Sequence, residues 1–238
     1  MLPTITLFGH EIAMYGVMCL TGILLAIGFG VLRAKKCGVG REDVLYMGIL
    51  SAIGIVVGGK ILYLLIDIPI IIKYSAVIFS SPETLVAYLS GGFVFYGGLF
   101  GAIFVIWFYC RRFKISFEKA MICMVPSFPV AHAIGRIGCY MAGCCYGVDG
   151  LPVQLYECFG NFVILGILLL VEKNGNERRI PQCYLFCYAV LRFILEFFRA
   201  DAERGAFLWF STSQWISIVV LICVGWLEYR MQREKKKE

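Results

Sequence analysis

Apolar residues run through this chain in long blocks separated by short polar or basic interruptions, and most blocks have the length that a bilayer demands. A helix needs roughly 20 predominantly apolar residues to cross the hydrocarbon core. Seven stretches meet or approach this: Ile12–Leu32, Val44–Ile66, Tyr88–Cys110, Phe117–Ile137, Cys158–Val171, Pro181–Phe198 and Thr212–Tyr229. The fifth is short and the sixth is rich in aromatics, so their ends are softly defined. Between the second and third, Ile68–Ser80 is apolar but bracketed by Pro69 and Pro82, which reads as an interfacial segment rather than a further span. The pattern predicts an all-α integral membrane protein of about seven transmembrane helices, forming a single polytopic membrane domain over residues 1–238.

Composition supports that picture. Of 238 residues, 60% are hydrophobic and 16% charged, with a mean hydropathy of +0.81, whereas soluble domains carry roughly 25% charged residues. Too few polar side chains exist to cover such a surface in water, so lipid must cover it. Residues Met1 to Glu11 carry no basic region and no small-residue cleavage site, so no cleavable signal peptide is expected.

The net charge of +6 is not a nucleic-acid signature, because the basic residues are segregated. Arg33, Lys35, Lys36 and Arg41 follow the first span. Arg111, Arg112, Lys114 and Lys119 follow the third. Lys173, Arg178 and Arg179 follow the fifth, and Arg230, Arg233, Lys235, Lys236 and Lys237 follow the seventh. All fall on alternate loops, and the positive-inside rule makes that side cytoplasmic. The N-terminus is then outside and the C-terminus cytoplasmic, with extracytoplasmic segments near 67–87, 138–157 and 199–211.

Six basic residues break the rule: Lys60, Lys73, Arg136, Arg192, Arg199 and Arg204. Lys60 lies within the second span, Lys73 suits the interfacial segment, and Arg204 suits solvent. Arg192 and Glu196 stand four apart on one helical face, followed by Arg199, Asp201 and Glu203. One reading is a structural ion-pair cluster that ties helix ends together. The other is an anion site facing the outer leaflet, since guanidinium forks match phosphate geometry. Three arginines near the outer ends of two helices favour the second.

Four segments stand out. Gly91-Gly92-Phe-Val-Phe-Tyr96-Gly97-Gly98, running on to Gly101, permits close approach of backbone or ligand, and tight helix packing explains the glycines equally well. It presents Tyr96 on an exposed turn. His132 to Gly147 holds Arg136, several glycines and alanines that let the chain bend near the interface, and Cys139, Cys144 and Cys145. That cysteine spacing matches no common zinc pattern, and adjacent cysteines chelate one ion poorly, so packing or a Cys139–Cys144 or Cys144–Cys145 disulfide is expected instead of a metal. Most of the 11 cysteines lie in apolar segments, where a thiol behaves as a small hydrophobe. Gln154, Tyr156 and Glu157 open the fifth span, where they suit hydrogen bonding to a head group; helix capping and interfacial anchoring are the plainer alternatives, and anchoring explains Tyr156 well. The last segment is Arg192 to Asp201.

The order of these motifs resembles the phosphatidylglycerol–prolipoprotein diacylglyceryl transferase family nearly end to end. It rests on Met14-Tyr15-Gly16, Gly91–Gly101, Gly135-Arg136-Ile137-Gly138, Gln154-Leu155-Tyr156-Glu157, Arg192 through Glu196 to Arg199, and Ser213-Gln214. The resemblance implies transfer of the diacylglyceryl group of phosphatidylglycerol to the lipobox cysteine of a preprolipoprotein signal peptide in the bacterial plasma membrane, without a cofactor. It places Arg136 and Arg192 on the family's essential arginines, with Tyr96 as the third catalytic position. It makes Tyr15, Gly97, Gly98, Gln154, Tyr156, Glu157, Glu196 and Arg199 substrate-binding. Two departures stand out. The family's His-Gly-Gly is Tyr96-Gly97-Gly98 here, and its Asn, Asn and Glu after Gly138 become Cys139, Ala142 and Cys144, so Cys139 and Cys144 are variant contacts. A tyrosine is a poor base at neutral pH.

Overall fold

The computed structural model describes residues 3–7, 10–199, 206–207 and 210–235. In chain order it contains a hairpin of β1 (Thr4–Leu7) and β2 (His10–Ala13), α1 (Met14–Cys37), α2 (Arg41–Ile66), and the short helices α3 (Ile68–Lys73), α4 (Ser75–Ile78) and α5 (Pro82–Ser90). There follow α6 (Phe95–Phe113), α7 (Phe117–Met124), α8 (Phe128–Ala142), α9 (Val153–Lys173) and α10 (Ile180–Glu196). A minimal hairpin of β3 (Ala206–Phe207) and β4 (Phe210–Ser211) leads into α11 (Thr212–Lys235). The chain divides into two compact units, residues 1–33 with 121–238, and residues 34–120. Asp201, Glu203 and Arg204, and Lys236 and Lys237 at the end, lie outside the described residues.

Among the described residues five helices are long and apolar enough to cross a membrane: α1, α2, the α7–α8 run Phe117–Ala142, α9 and α11. A sixth crossing results if α5 and α6, bent by 80° at their junction, count as one. The 17 residues of α10 make it shorter than these. Leu32, Phe100, Phe159 and Ile222 are among many large apolar side chains left exposed. A continuous apolar surface of this kind belongs in lipid, and the chain is a membrane protein.

Several element boundaries differ from the sequence reading. Ile12 belongs to β2, and α1 runs on to Cys37. The fifth span is not short: α9 starts at Val153 and has 21 residues, because Gln154 and Glu157 are buried within the first turns rather than left in a loop. The third span is broken. Tyr88 closes α5, the chain turns through Gly91 and Gly92, and α6 begins at Phe95. Gly92 has φ +71°, and a Cβ there would fall into the Tyr63 ring, so this corner tolerates no larger residue. Lys60 holds it from below, its ammonium donating to the carbonyls of Gly91 and Gly92. Tyr96 consequently sits in the first turn of α6, not on a free turn of backbone.

In the second unit α2 and α6 pack along glycines. Gly54 and Gly58 of α2 face Gly97 and Gly101 of α6. A Cβ at Gly101 would land on the carbonyl oxygen of Gly54, and one at Gly97 on that of Gly58. Small residues four apart on both helices let the backbones approach until dispersion and weak Cα–H contacts replace side-chain packing. The tyrosine hydroxyls add fixed polar ties, Tyr109 to Asp43 at 3.0 Å and Tyr88 to Asp67 at 2.8 Å. The short α5 starts from a capping box in which Ser81 and Thr84 each accept the other's backbone N–H.

The first unit packs α8 against α1 and α9, and α10 against α9 and α11. Its core centres on Val125, Ile164, Leu168 and Ile180. Gly138 of α8 lies where a Cβ would meet Cβ of Met18 at 2.9 Å, so α8 crosses α1 closely just beside Tyr15. The join of α7 and α8 is a 3₁₀ turn over Val125–Ser127. Pro126 has no N–H to offer the carbonyl of Ile122, four residues back. Arg33 supplies the donor, at 3.3 Å to Ile122 and 3.4 Å to Cys123, while a two-pronged pair with Glu172 at 2.8 and 2.9 Å balances its charge. Arg33 is thus buried, not merely one of the basic residues after the first span.

Gly101→Val should force α2 and α6 apart at a cost of about 1–3 kcal/mol. Denaturation of the purified protein in mixed detergent micelles checks this, with Gly28→Val, where nothing lies within 4 Å of the added carbon, expected to behave like the unaltered chain.

Candidate active site

Glu157 is the most enclosed charge among the described residues of the first unit, 1% exposed, and two guanidinium groups and an imidazole converge on it. Arg136 approaches Oε2 through Nε at 3.0 Å, Arg199 the same oxygen at 3.8 Å, and His132 Nε2 lies 3.1 Å from Oε1. Each arrives from a different element. His132 and Arg136 are one turn apart on α8, Glu157 sits in the second turn of α9, and Arg199 follows the end of α10. The backbone of Arg199 is fixed by an antiparallel bridge to Gly147, with Val148 N donating to Phe198 O at 2.9 Å. Any Cβ at Gly147 would strike the Phe198 carbonyl, so the loop after α8 can dock there only as glycine.

A second pair stands on α10 and α11. Arg192 meets Glu196 at 2.7 Å across one helical turn and Ser213 at 3.2 Å. Ser211 donates to Glu196 at 2.8 Å, and Gln214 accepts the Ser211 N–H at 2.9 Å. Glu196 and Ser213 thereby aim the guanidinium from two sides. Its Nη1 is buried and has no hydrogen-bond partner among the described residues, an expensive state for a cationic donor.

The expected residues divide. Arg136, Glu157 and Arg199 are brought into one cluster, Arg192 and Glu196 form the pair beside Ser211 and Ser213, and Tyr15 lies over Gly138 on α1 with its ring half exposed. Gln154 is buried, but its amide donates to the carbonyl of Cys144 at 2.5 Å and so shapes the loop. Tyr156 points outward, 52% exposed, about 100° around α9 from the buried Glu157. Tyr96, Gly97 and Gly98 belong to the second unit, where both glycines are buried against α2.

Residues 132–142 are helical throughout, so the bend expected across His132–Gly147 begins only at Gly143. There α8 ends in a Schellman motif. Gly143 has φ +75°, its N–H bonds Tyr140 O at 3.2 Å, and the Cys144 N–H bonds Cys139 O at 3.2 Å. All eleven cysteines are free thiols, so neither expected disulfide is present. His132 was not among the expected site residues. Its place one turn before Arg136 was the available signal, since residues four apart share a helical face.

A model of the prolipoprotein diacylglyceryl transferase family matches residues 3–229. The chain belongs to that family. Curated relatives match over most of their lengths. A phosphatidylglycerol–prolipoprotein diacylglyceryl transferase of Clostridium tetani is 33% identical, covering 97% of this chain and 97% of its own. A second, from Clostridium perfringens, is 30% identical over 98% of this chain and 95% of its own. One from Clostridioides difficile is 29% identical over 83% and 82%. Family membership thus rests on the whole chain, while the departures at Tyr96, Cys139 and Cys144 fall inside motifs the family reading depends on.

Glu157→Gln should strand Arg136 without its counter-charge in a buried place. A loss of about 3–5 kcal/mol is expected, measurable as a lower unfolding midpoint in detergent, with Tyr156→Phe on the outward face leaving it unchanged.

Proposed function

We propose that this chain transfers the diacylglyceryl group of phosphatidylglycerol to the lipobox cysteine thiol of preprolipoproteins, releasing glycerol 1-phosphate. The observation that carries the reading is the buried Nη1 of Arg192, unpartnered among the described residues, a phosphate-matching donor, on a chain whose family and relatives bear that activity in their names. In the transfer a sulfur–carbon bond forms at the glyceryl carbon as its bond to the phosphate oxygen breaks, and the thiol gives up its proton. Arg136 and Arg192 clamp the phosphate. Charge gathering on it is stabilised most where water is excluded. Glu196 and Ser213 hold Arg192, and Glu157 with Arg199 holds Arg136.

Tyr96 stands where the family has histidine and serves as a donor or relay. The His132–Glu157 pair offers a better proton acceptor: a carboxylate-bound imidazole is the usual general base near neutral pH. Tyr15 and Tyr156 stand at the lipid's approach, Gln154 shapes the loop beside it, and Gly97 and Gly98 keep the packing role they have in the second unit. The site faces the outer leaflet of the bacterial plasma membrane. Seven spans, including α10 and the bent α5–α6 pair, put the N-terminus outside and the C-terminus in the cytoplasm within a single polytopic domain. Segments near 67–87, 138–157 and 199–211 are extracytoplasmic. The segregated basic loops support this orientation.

The test is a bacterium depleted of its resident transferase and supplied with this chain, with lipoproteins analysed by mass spectrometry. A diacylglyceryl adduct on the lipobox cysteine is expected. Arg192→Ala should lower transfer by at least about a hundredfold, as loss of a transition-state donor does, and Arg136→Ala similarly. His132→Ala should reduce it more than Tyr96→Phe. Correct membrane insertion without any adduct would overturn the reading.

A further inference from the structure

The three cysteines after Arg136 take no part in the chemical steps proposed above, yet they come together. Cys139 lies in the last turn of α8, and the Schellman motif returns the chain so that Cys144, five residues on, sits directly over it. That is the contact the motif makes between its third-last helical residue and the second residue beyond the cap. Cys144 Sγ lies 3.5 Å from the carbonyl of Cys139. Successive side chains in extended backbone point to opposite sides, which is why adjacent cysteines ordinarily chelate poorly. Here Cys145 has φ +65°, a left-handed conformation, and this swings its thiol to the same side, 3.7 Å from that of Cys144. All three sulfurs lie within 4.8 Å of one another.

We propose that Cys139, Cys144 and Cys145 form a three-thiolate site for a soft, thiophilic metal ion, monovalent copper by preference. A metal–sulfur bond of about 2.3 Å in a trigonal arrangement places the sulfurs about 4.0 Å apart, close to the spacing seen. Thiolate-only sites select soft ions, and three sulfurs suffice for copper(I), whereas structural zinc takes four ligands. The ion displaces one proton from each thiol, leaving a site of net charge −2. Arg136 answers part of that charge, its Nη1 already 3.9 Å from Cys139 Sγ. The surroundings fit a built site. Cys139 is buried, Cys144 is open to solvent for entry, and Gln154 pins the Cys144 carbonyl from α9.

The full-length protein, purified in detergent under reducing, oxygen-free conditions, is titrated with copper(I) against a chromophoric chelator. One ion per chain is expected, with a copper-edge spectrum showing three sulfur neighbours and affinity rising from pH 6 to pH 8, as proton release requires. The C139S/C144S/C145S variant keeps the remaining cysteines and should lose about a hundredfold or more in affinity, and each single serine variant about tenfold. Serine is near-isosteric with cysteine, and a matching elution volume and unfolding midpoint verify that each variant folds. Unchanged affinity in the triple variant would overturn the proposal, as would full affinity in C139S alone. A Cys144–Cys145 disulfide in protein trapped directly from membranes would also overturn it, since only the Cys139 thiol would then remain for the ion.

Discussion

A carboxylate cut off from water is tolerated only where positive partners enclose it, and Glu157 imposes that condition on everything around it. Its two oxygens gather Arg136 and His132 from α8 and Arg199 from beyond α10, so three elements are committed to one point. Desolvating such a group costs several kcal/mol, and the mutual attraction repays this only if the geometry is held. The holding is done by backbone: the bridge between Gly147 and Arg199, the closed turn after α8, and the close crossing of α1 at Gly138.

The other end of α9 repeats the device with different purpose. Glu172 is fifteen residues along from Glu157, a rise of about 22 Å at 1.5 Å per residue, with Ile164 and Leu168 buried between them. There the partner is Arg33, which also satisfies carbonyls freed by Pro126. That pair serves to join α1, the α7–α8 turn and α9. The Arg192 pair differs because it leaves Nη1 of the guanidinium without a hydrogen bond among the described residues, and a buried unsatisfied cationic donor is a costly feature to keep unless an anion is to meet it. The proposed phosphate clamp follows from this difference in satisfaction, not from the number of charges.

The second unit solves a separate problem, helix association where the surrounding solvent is as apolar as the side chains. Hydrophobic burial contributes little there, so α2 and α6 rely on glycine-to-carbonyl contact. This assigns a packing role to Gly97 and Gly101 and accounts for much of the glycine-rich segment without any ligand.

What the sequence by itself determined is what depends on local pattern. Apolar block length located five or six of the seven expected membrane helices, segregation of lysine and arginine suggested their orientation, and Arg136 and Arg192 stood out because a charge within an apolar block is too costly to be incidental. The i, i+4 spacing of Arg192 and Glu196 forecast a real pair. The tertiary structure alone decided which distant groups share a partner. Nothing local in residues 132, 136, 157 and 199 says that one carboxylate serves them all, since that depends on how α8, α9 and the end of α10 pack. It also decided that Tyr96 starts a helix and that Tyr156 points outward while Glu157 is buried. The cysteines lie between these cases. Their spacing around Gly143 carried the signature of a helix cap, but the left-handed turn at Cys145, which brings adjacent thiols to one side, is a backbone conformation that composition does not encode.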